Sequence, residues 1–377
     1  MIYLDNNATT RPAPEVVAAV TACLQDDWGN PSSKHGPGQA AKTRVAQARG
    51  EVARLLGARP AEVVFTSGAT EANVWALRAA VARTPGRRRI VVSAVEHAGM
   101  LRAAQRLARE GVAVDIVPVD RTGRLDLDAL ERVLQPDAAL LALMAANNET
   151  GVLLPVAEAA ALAARRDVPM LVDATQAVGR VPVNFAEWGV DLLTCSAHKL
   201  HGPKGVGALV VRRGFELPPL IDGSQERGRR GGTENVPGIV GFGVAATLAH
   251  DTLDADAGRM AQLRDALEAG LRARLPAMRV HGESAPRLPN TTSLRLPGIE
   301  AEWLLDRLER AGICAASGSA CSAGGTEPSH VLLAMGARRD EALETIRISL
   351  SRATTAAEIA HVVETLSALA GGWSRAA

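Results

Sequence analysis

The stretch from Asp191 to Leu209 reads Asp-Leu-Leu-Thr-Cys-Ser-Ala-His-Lys-Leu-His-Gly-Pro-Lys-Gly-Val-Gly-Ala-Leu, and it holds a lysine where a lysine can react. The apolar Leu192 and Leu193 mark a strand that runs into Ser196, His198 and Lys199. Gly202, Pro203, Gly205 and Gly207 then force a turn before the next apolar run. Lys199 is therefore expected at a strand end, unable to trail into solvent along a helix. A positioned lysine whose surroundings keep its amine deprotonated forms Schiff bases with carbonyls. The competing reading is a solvated turn lysine that adds only charge.

Two further stretches bear on that choice. Glu62-Val-Val-Phe-Thr-Ser-Gly-Ala-Thr-Glu carries a strand through Gly68 into a helix whose first turn holds Thr70. Free amides, the positive end of the helix dipole and a hydroxyl suit a phosphate there, although Ser67 or Thr70 as a plain cap fits the same pattern. Pro169-Met-Leu-Val-Asp173 sets a carboxylate at the end of a strand that should be buried. Such a group needs a partner, either an N-cap or salt bridge, or a ring nitrogen that must stay protonated. An acid at one strand end, a lysine at a later one and a phosphate-type turn at a third would converge on one sheet edge. That set matches pyridoxal 5'-phosphate, with Lys199 on the aldehyde, Asp173 on the pyridine nitrogen, and Thr70, Ser196 and His198 on the phosphate.

The elements that must position these groups follow from hydrophobic spacing. Ala13–Gln25 has helical spacing, and a Gly/Pro/Ser-rich link follows from Trp28 to Gly38. Strands are expected at 62–66, 89–94, 112–117, 139–145, 169–172, 192–195 and 208–211, mostly separated by helices such as 73–83, 100–109 and 156–165. This alternation predicts an α/β fold with a doubly wound, mostly parallel sheet, in which ligands sit at the carboxyl ends of the strands. From about Asp254 the pattern changes. Met260, Leu263, Leu267 and Leu271 mark an amphipathic helix, followed by shorter mixed elements. The expected division is a large domain over residues 13–253 and a smaller α+β domain from 1–12 and 254–377.

Composition narrows the function classes. The chain has 377 residues, 47% of them hydrophobic, which suffices for a sizeable core. Its formal net charge of +1 gives no reason to expect nucleic acid or an anionic membrane as partner. No targeting segment precedes the first element and no apolar run approaches the length of a membrane span, so a cytoplasmic location is expected. The four cysteines, Cys23, Cys195, Cys314 and Cys321, are widely spaced and are expected to be reduced. Cys321 lies in Ser317-Gly-Ser-Ala-Cys-Ser-Ala-Gly-Gly-Thr, a run too small to pack a core, and is expected on a mobile loop spanning about 317–330. An exposed thiol there could carry sulfur between sites. The other three read as small buried hydrophobes.

Taken together, these stretches resemble the cysteine desulfurases of the class V aminotransferase family, in the branch typified by nitrogenase-associated and iron–sulfur-cluster-assembly enzymes. The resembling motifs include Tyr3-Leu-Asp-Asn-Asn-Ala-Thr-Thr, Phe65-Thr-Ser-Gly-Ala-Thr-Glu, Glu96-His97 and Ala146-Asn-Asn-Glu-Thr-Gly. They continue with Asp173-Ala-Thr-Gln-Ala-Val-Gly, Ser196-Ala-His-Lys, Gln225-Glu-Arg-Gly-Arg-Arg-Gly-Gly-Thr, Ser317-Gly-Ser-Ala-Cys321 and Ile346-Arg-Ile-Ser-Leu-Ser-Arg.

The resemblance implies a fold-type-I pyridoxal-phosphate transferase that converts L-cysteine to L-alanine and passes the sulfur on as a persulfide. It implies Lys199 as the Schiff-base lysine, Asp173 on the pyridine nitrogen, Gln176 on the ring oxygen, and His97 stacked on the ring and active in proton transfer. Asn148, also a cofactor contact, and Arg347 would hold the substrate carboxylate. Ala69, Thr70, Ser196, Ala197 and His198 would bind the cofactor near its phosphate, with Thr233 reaching across from the second subunit of a homodimer. Cys321 would be the nucleophile that becomes the persulfide. The resemblance implies no resident metal, with Cys321 the candidate for transient iron–sulfur ligation, and an iron–sulfur scaffold or another sulfur acceptor as protein partner.

Blander roles stand beside these. Asn147 and Asn148 could be turn formers, and Arg347 could sit in an ordinary salt bridge. A selenocysteine lyase or a small-amino-acid aminotransferase on the same fold is the alternative activity, and a catalytically silent binding partner is the alternative class. Ala197 stands where the family often has glycine, which matters only if that backbone needs a positive φ.

Overall fold

Seven short strands form one sheet. Their order across it is Val63–Thr66, Gly207–Val211, Leu192–Ser196, Met170–Asp173, Ala138–Met144, Arg89–Ser93 and Ala113–Val117. The computed structural model describes residues 1–318 and 327–373. Neighbours from Leu192–Ser196 to Ala113–Val117 pair in parallel, and Gly207–Val211 alone runs against the rest. Ala138–Met144 is buried at every position, as a strand covered on both faces must be.

The period-2 alternation of side chains divides that strand between two cores. Leu141 and Leu143 join Val45, Val52, Leu56 and Phe242 on one face. Leu140 and Ala142 join Trp75, Leu77 and Met100 on the other. Helices Ala69–Arg83 and Ala98–Arg109 supply the second core, and helices Gly36–Leu55 and Val156–Arg165 the first. The sheet is doubly wound, as the alternation of elements predicts.

A smaller antiparallel sheet orders Ala316–Ser317, Thr345–Ser349, Thr291–Arg295 and Arg279–Val280. Helices Ala301–Arg310 and Ala356–Trp373 complete a third core around Leu294, Leu304, Ile346, Ile348 and Leu366. The N-terminus belongs here as well, because Ile2–Tyr3 pairs in parallel with Ile313–Cys314 and Leu4 lies in this core.

Four points of the expected architecture needed correction. The helix expected from about residue 254 is the second half of a 39-residue helix, Val236–Arg274. Phe242 and Ala245 near its start enter the first core, while Leu267 and Leu271 near its end enter the third. That helix is long and apolar enough by composition to cross a bilayer, contrary to the expectation that no apolar run comes near such a length. Its apolar character is accounted for by burial in those two cores. Helix Gly36–Leu55 was not anticipated, because the side chains it buries, Ala41, Val45, Ala48 and Val52, are small and give weak periodicity. Finally, Cys23 and Cys195 are buried as expected, but Cys314 is only half-buried.

Candidate active site

Lys199 stands in a short 3₁₀ turn, Ala197–Lys199, directly after the strand Leu192–Ser196 ends. Its Nζ donates to the carbonyls of Asn7 at 2.6 Å and Ala8 at 2.8 Å. Burial, reinforced by the positive charges of Arg180 and Arg347, pushes the Lys199 amine down to about 7, against a weaker pull from Asp173 and Asp5. A lysine so perturbed is populated as a free amine at neutral pH, the form that attacks a carbonyl.

The lysine opens into a cavity of 240 Å³ lined also by Ala69, Thr70, Asn73, His97, Asn148, Asp173, Gln176, Ser196 and His198. The acid, the lysine and the anion-type turn thus meet at the carboxyl ends of the strands, where an open α/β sheet places its ligands. Asp173 is the last residue of its strand and is buried. Its Oδ2 accepts from Asn73 Nδ2 at 2.7 Å and its Oδ1 from the Thr175 amide at 3.0 Å.

Ser196 Oγ, which also lines the cavity, accepts from the Ala69 amide at 2.7 Å, tying the strand end to the first turn of helix Ala69–Arg83. The Ser196 hydroxyl hydrogen is left for a ligand. His198 Nδ1 lies 3.1 Å from Thr9 Oγ1, and burial next to Lys199 pushes its ring down to about 4. A neutral imidazole and two hydroxyls beside a helix N-terminus form a donor set suited to a phosphate.

His97 is the N-cap of helix Ala98–Arg109, its Nδ1 accepting from the Gly99 amide at 3.1 Å. The neutral ring must then carry its proton on Nε2, and burial, the largest influence, lowers its proton affinity. Gln176 donates from Nε2 to the Asn7 carbonyl at 3.0 Å and accepts from Arg180. The two asparagines divide their duties. Asn147 Oδ1 accepts from the Glu149 and Thr150 amides and so closes the turn, whereas Asn148 lines the cavity.

The remaining expected residues lie outside the cavity lining. Ala197 is fully buried, gives its amide to the Val206 carbonyl and sits in the 3₁₀ turn with no positive φ, so alanine costs nothing at that position. Arg347 lies behind Asn148, donating to its carbonyl at 3.0 Å and to Asp5 Oδ1 at 2.6 Å. Of the two roles open to it from sequence, the salt bridge is formed; its buried Nε has no partner among the described residues. Thr233 is exposed and does not line this chain's own cavity. Cys321 lies outside the described residues.

Several functional neighbours escaped sequence reasoning. Asn73 had a signal, since it follows Thr70 by three residues and so shares its helix face. Arg180 had none. It is buried, donates to the carbonyls of Asn6, Gln176 and Lys199, and is held down to about 10 by burial. Glu96 and Glu149 are fully buried carboxyls, pushed up by desolvation to about 8 and about 7.

Comparison with known proteins agrees with this geometry. A family model described as aminotransferase class-V matches residues 2–362. A cysteine desulfurase of Cereibacter sphaeroides is 50% identical over 97% of this chain and 94% of its own. One of Trichormus azollae is 48% identical over 97% of this chain and 92% of its own. Among solved structures, a NifS-like protein superimposes with a TM-score of 0.92 at 36% identity, covering 98% of both chains.

Proposed function

The chain belongs to the class-V aminotransferases and within them to the cysteine desulfurases, and we propose on that ground that its cavity holds pyridoxal 5'-phosphate and converts L-cysteine to L-alanine. The observation that carries this reading is the Lys199 amine, pushed down to about 7, in one cavity with the Asp173 carboxylate and the Thr70, Ser196 and His198 donors.

The donor set fits the cofactor. Thr70, Ser196 and His198 would hold its phosphate, Asp173 its pyridine nitrogen, Gln176 its ring oxygen and Lys199 its aldehyde carbon. When bound, the group supplies an electron sink for bond breaking at the substrate's carbons.

The protein's own groups do the rest. Lys199 Nζ both takes and gives a proton near neutral pH, the range in which a general base works best. His97, neutral and protonated on Nε2, is a donor to substrate. Asn148 and the Arg347 Nε, which has no partner among the described residues, would hold the substrate carboxylate.

Cys321 as thiolate would attack the substrate sulfur. A sulfur–sulfur bond forms and the substrate's carbon–sulfur bond breaks. The electron pair stays on carbon, and a proton completes the methyl group of alanine. The persulfide on Cys321 would then pass to an iron–sulfur scaffold or another sulfur-acceptor protein. Thr233, exposed and outside its own chain's cavity, would reach the phosphate of the second subunit in a homodimer. The setting proposed for the protein is cytoplasmic, where thiols such as those of Cys23, Cys195 and Cys314 stay reduced.

The test is to incubate the purified holoenzyme with L-cysteine and a thiol reductant and to quantify alanine and sulfide together. Equal amounts of both over many turnovers are expected from the wild type. Cys321→Ala is expected to keep its cofactor and lose sulfur transfer. A cofactor-loaded wild type that forms neither product, or turns over only with a keto acid, would overturn the substrate assignment.

A further inference from the structure

Asp173 and Thr194 are cross-strand partners at the carboxyl ends of neighbouring parallel strands. The helix Ala69–Arg83 lays a single buried side chain, Asn73, across both. Asn73 Nδ2 donates to Asp173 Oδ2 at 2.7 Å, and Thr194 Oγ1 donates to Asn73 Oδ1 at 2.7 Å. The polarity of this chain is forced. A carboxylate only accepts, so the amide must turn its NH₂ toward Asp173, and its carbonyl is then satisfied only if the Thr194 hydroxyl donates. Thr194 is fully buried, so that hydroxyl has no water to prefer. With the Thr175 amide on Oδ1, two donors set the plane of the carboxylate from the protein side and leave its remaining lone pairs to the cavity.

We propose that Asn73, oriented by Thr194, is a positioning residue that fixes the Asp173 carboxylate in the plane where it holds a protonated ring nitrogen. This rests on the reading of Asp173 as the cofactor's nitrogen partner. Ser and Thr side chains hydrogen-bond in many rotamers, whereas an amide caught between a donor and an acceptor has one. Neither Asn73 nor Thr194 performs any step of the reaction. The charged or titratable groups that interact with Asp173 are Lys199 from the 3₁₀ turn, His97 and Glu96 from the segment before helix Ala98–Arg109, and Cys195 from the neighbouring strand. All four are kept in every variant below.

The experiment reconstitutes the full-length protein with ¹⁵N-labelled pyridoxal 5'-phosphate and follows the ring-nitrogen chemical shift against pH. Asn73→Leu and Thr194→Val are expected to bind the cofactor but to release the ring proton at least one pH unit lower, a tenfold loss. Thr194→Ser, which keeps the hydroxyl, is expected to match the wild type. The kcat for cysteine should fall in the first two variants with KM little changed. If Asn73→Leu fails to fold, Thr194→Val decides the matter. A wild-type nitrogen titration in a cofactor-loaded Thr194→Val or Asn73→Leu protein would show that the chain only packs, and would overturn the proposal. Asp173→Asn separates the two levels: an unchanged nitrogen signal there would show that Asp173 is not the ring partner and remove the underlying reading.

Discussion

The Arg347 guanidinium and the Asp5 carboxylate, 342 residues apart in sequence, meet at 2.6 Å beside the cavity. Asp5 is thus the counter-ion that lets an arginine be buried in a strand of the small sheet. Arg347→Ala is expected to lower kcat/KM for cysteine about 100-fold, the effect of losing a charged hydrogen bond of ~3 kcal/mol. Asp5→Asn, which strands the arginine, is expected to cost roughly 3 kcal/mol of stability. Steady-state kinetics checks the first and denaturant unfolding the second.

Lys199 carries a proton at a cost in the cofactor-free protein. Its folded value is about 7, against an unfolded value near ~10.4. Below pH 7 both states are protonated and the full penalty applies; between pH 7 and about 10 the unfolded state binds more protons, so stability rises with pH. Relative to Lys199→Met, the cofactor-free wild type should be less stable at pH 6.5, on the order of 4–5 kcal/mol, with the gap closing by pH 10. Paired denaturant curves at the two pH values measure it, and a gap that stays constant would contradict the burial of this amine.

Glu96 gives the opposite slope. Ser93 Oγ and the Met144 amide both donate to Oε1, while Oε2 has no partner among the described residues. Burial raises the folded value to about 8, so the folded state binds the extra proton from about pH 4.5 upward. Wild-type stability should therefore fall, relative to Glu96→Gln, as pH rises from 4.5 to 8. Thermal unfolding of both proteins at pH 5 and pH 8 checks the sign.

Arg49 grips Glu226 with two hydrogen bonds of 2.7 Å, and Glu226 also accepts from the Phe65 amide at 3.0 Å. Glu226 and Arg227 both hold positive φ, so this pair anchors a strained turn in the segment that leads to Thr233. Arg49→Met leaves a buried carboxylate uncompensated and is expected to cost roughly 3–5 kcal/mol. It should also weaken cofactor retention if Thr233 completes the neighbouring subunit's site. Denaturant unfolding and cofactor loss on dialysis report the two effects separately.

Much of the architecture was legible because its signals are local. The seven strands of the large sheet fall within a residue or so of where apolar runs and turn residues set them. Lys199, Asp173 and Thr70 were readable as a set because each stands at a strand end or a first helical turn, positions that a parallel sheet gathers on one edge. Gly36–Leu55 was not legible because alanine and glycine blur a helical period, and the start of Val236–Arg274 was missed because its apolar face changes cores midway along.

The site's second layer was hidden for a different reason. Asn73 lies 100 residues from Asp173 and Asn7 lies 192 from Lys199, and no spacing rule joins them. By itself the sequence determined the strands of the large sheet, which reactive side chains end them, and to which family the chain belongs, since these depend on near neighbours and on motif identity. Only the tertiary structure decided which donor meets which carboxylate, that Arg347 answers to Asp5, and that the Lys199 amine sits near neutrality. Desolvation and Coulomb interaction act through space, and their values exist only once distant segments have packed around the group.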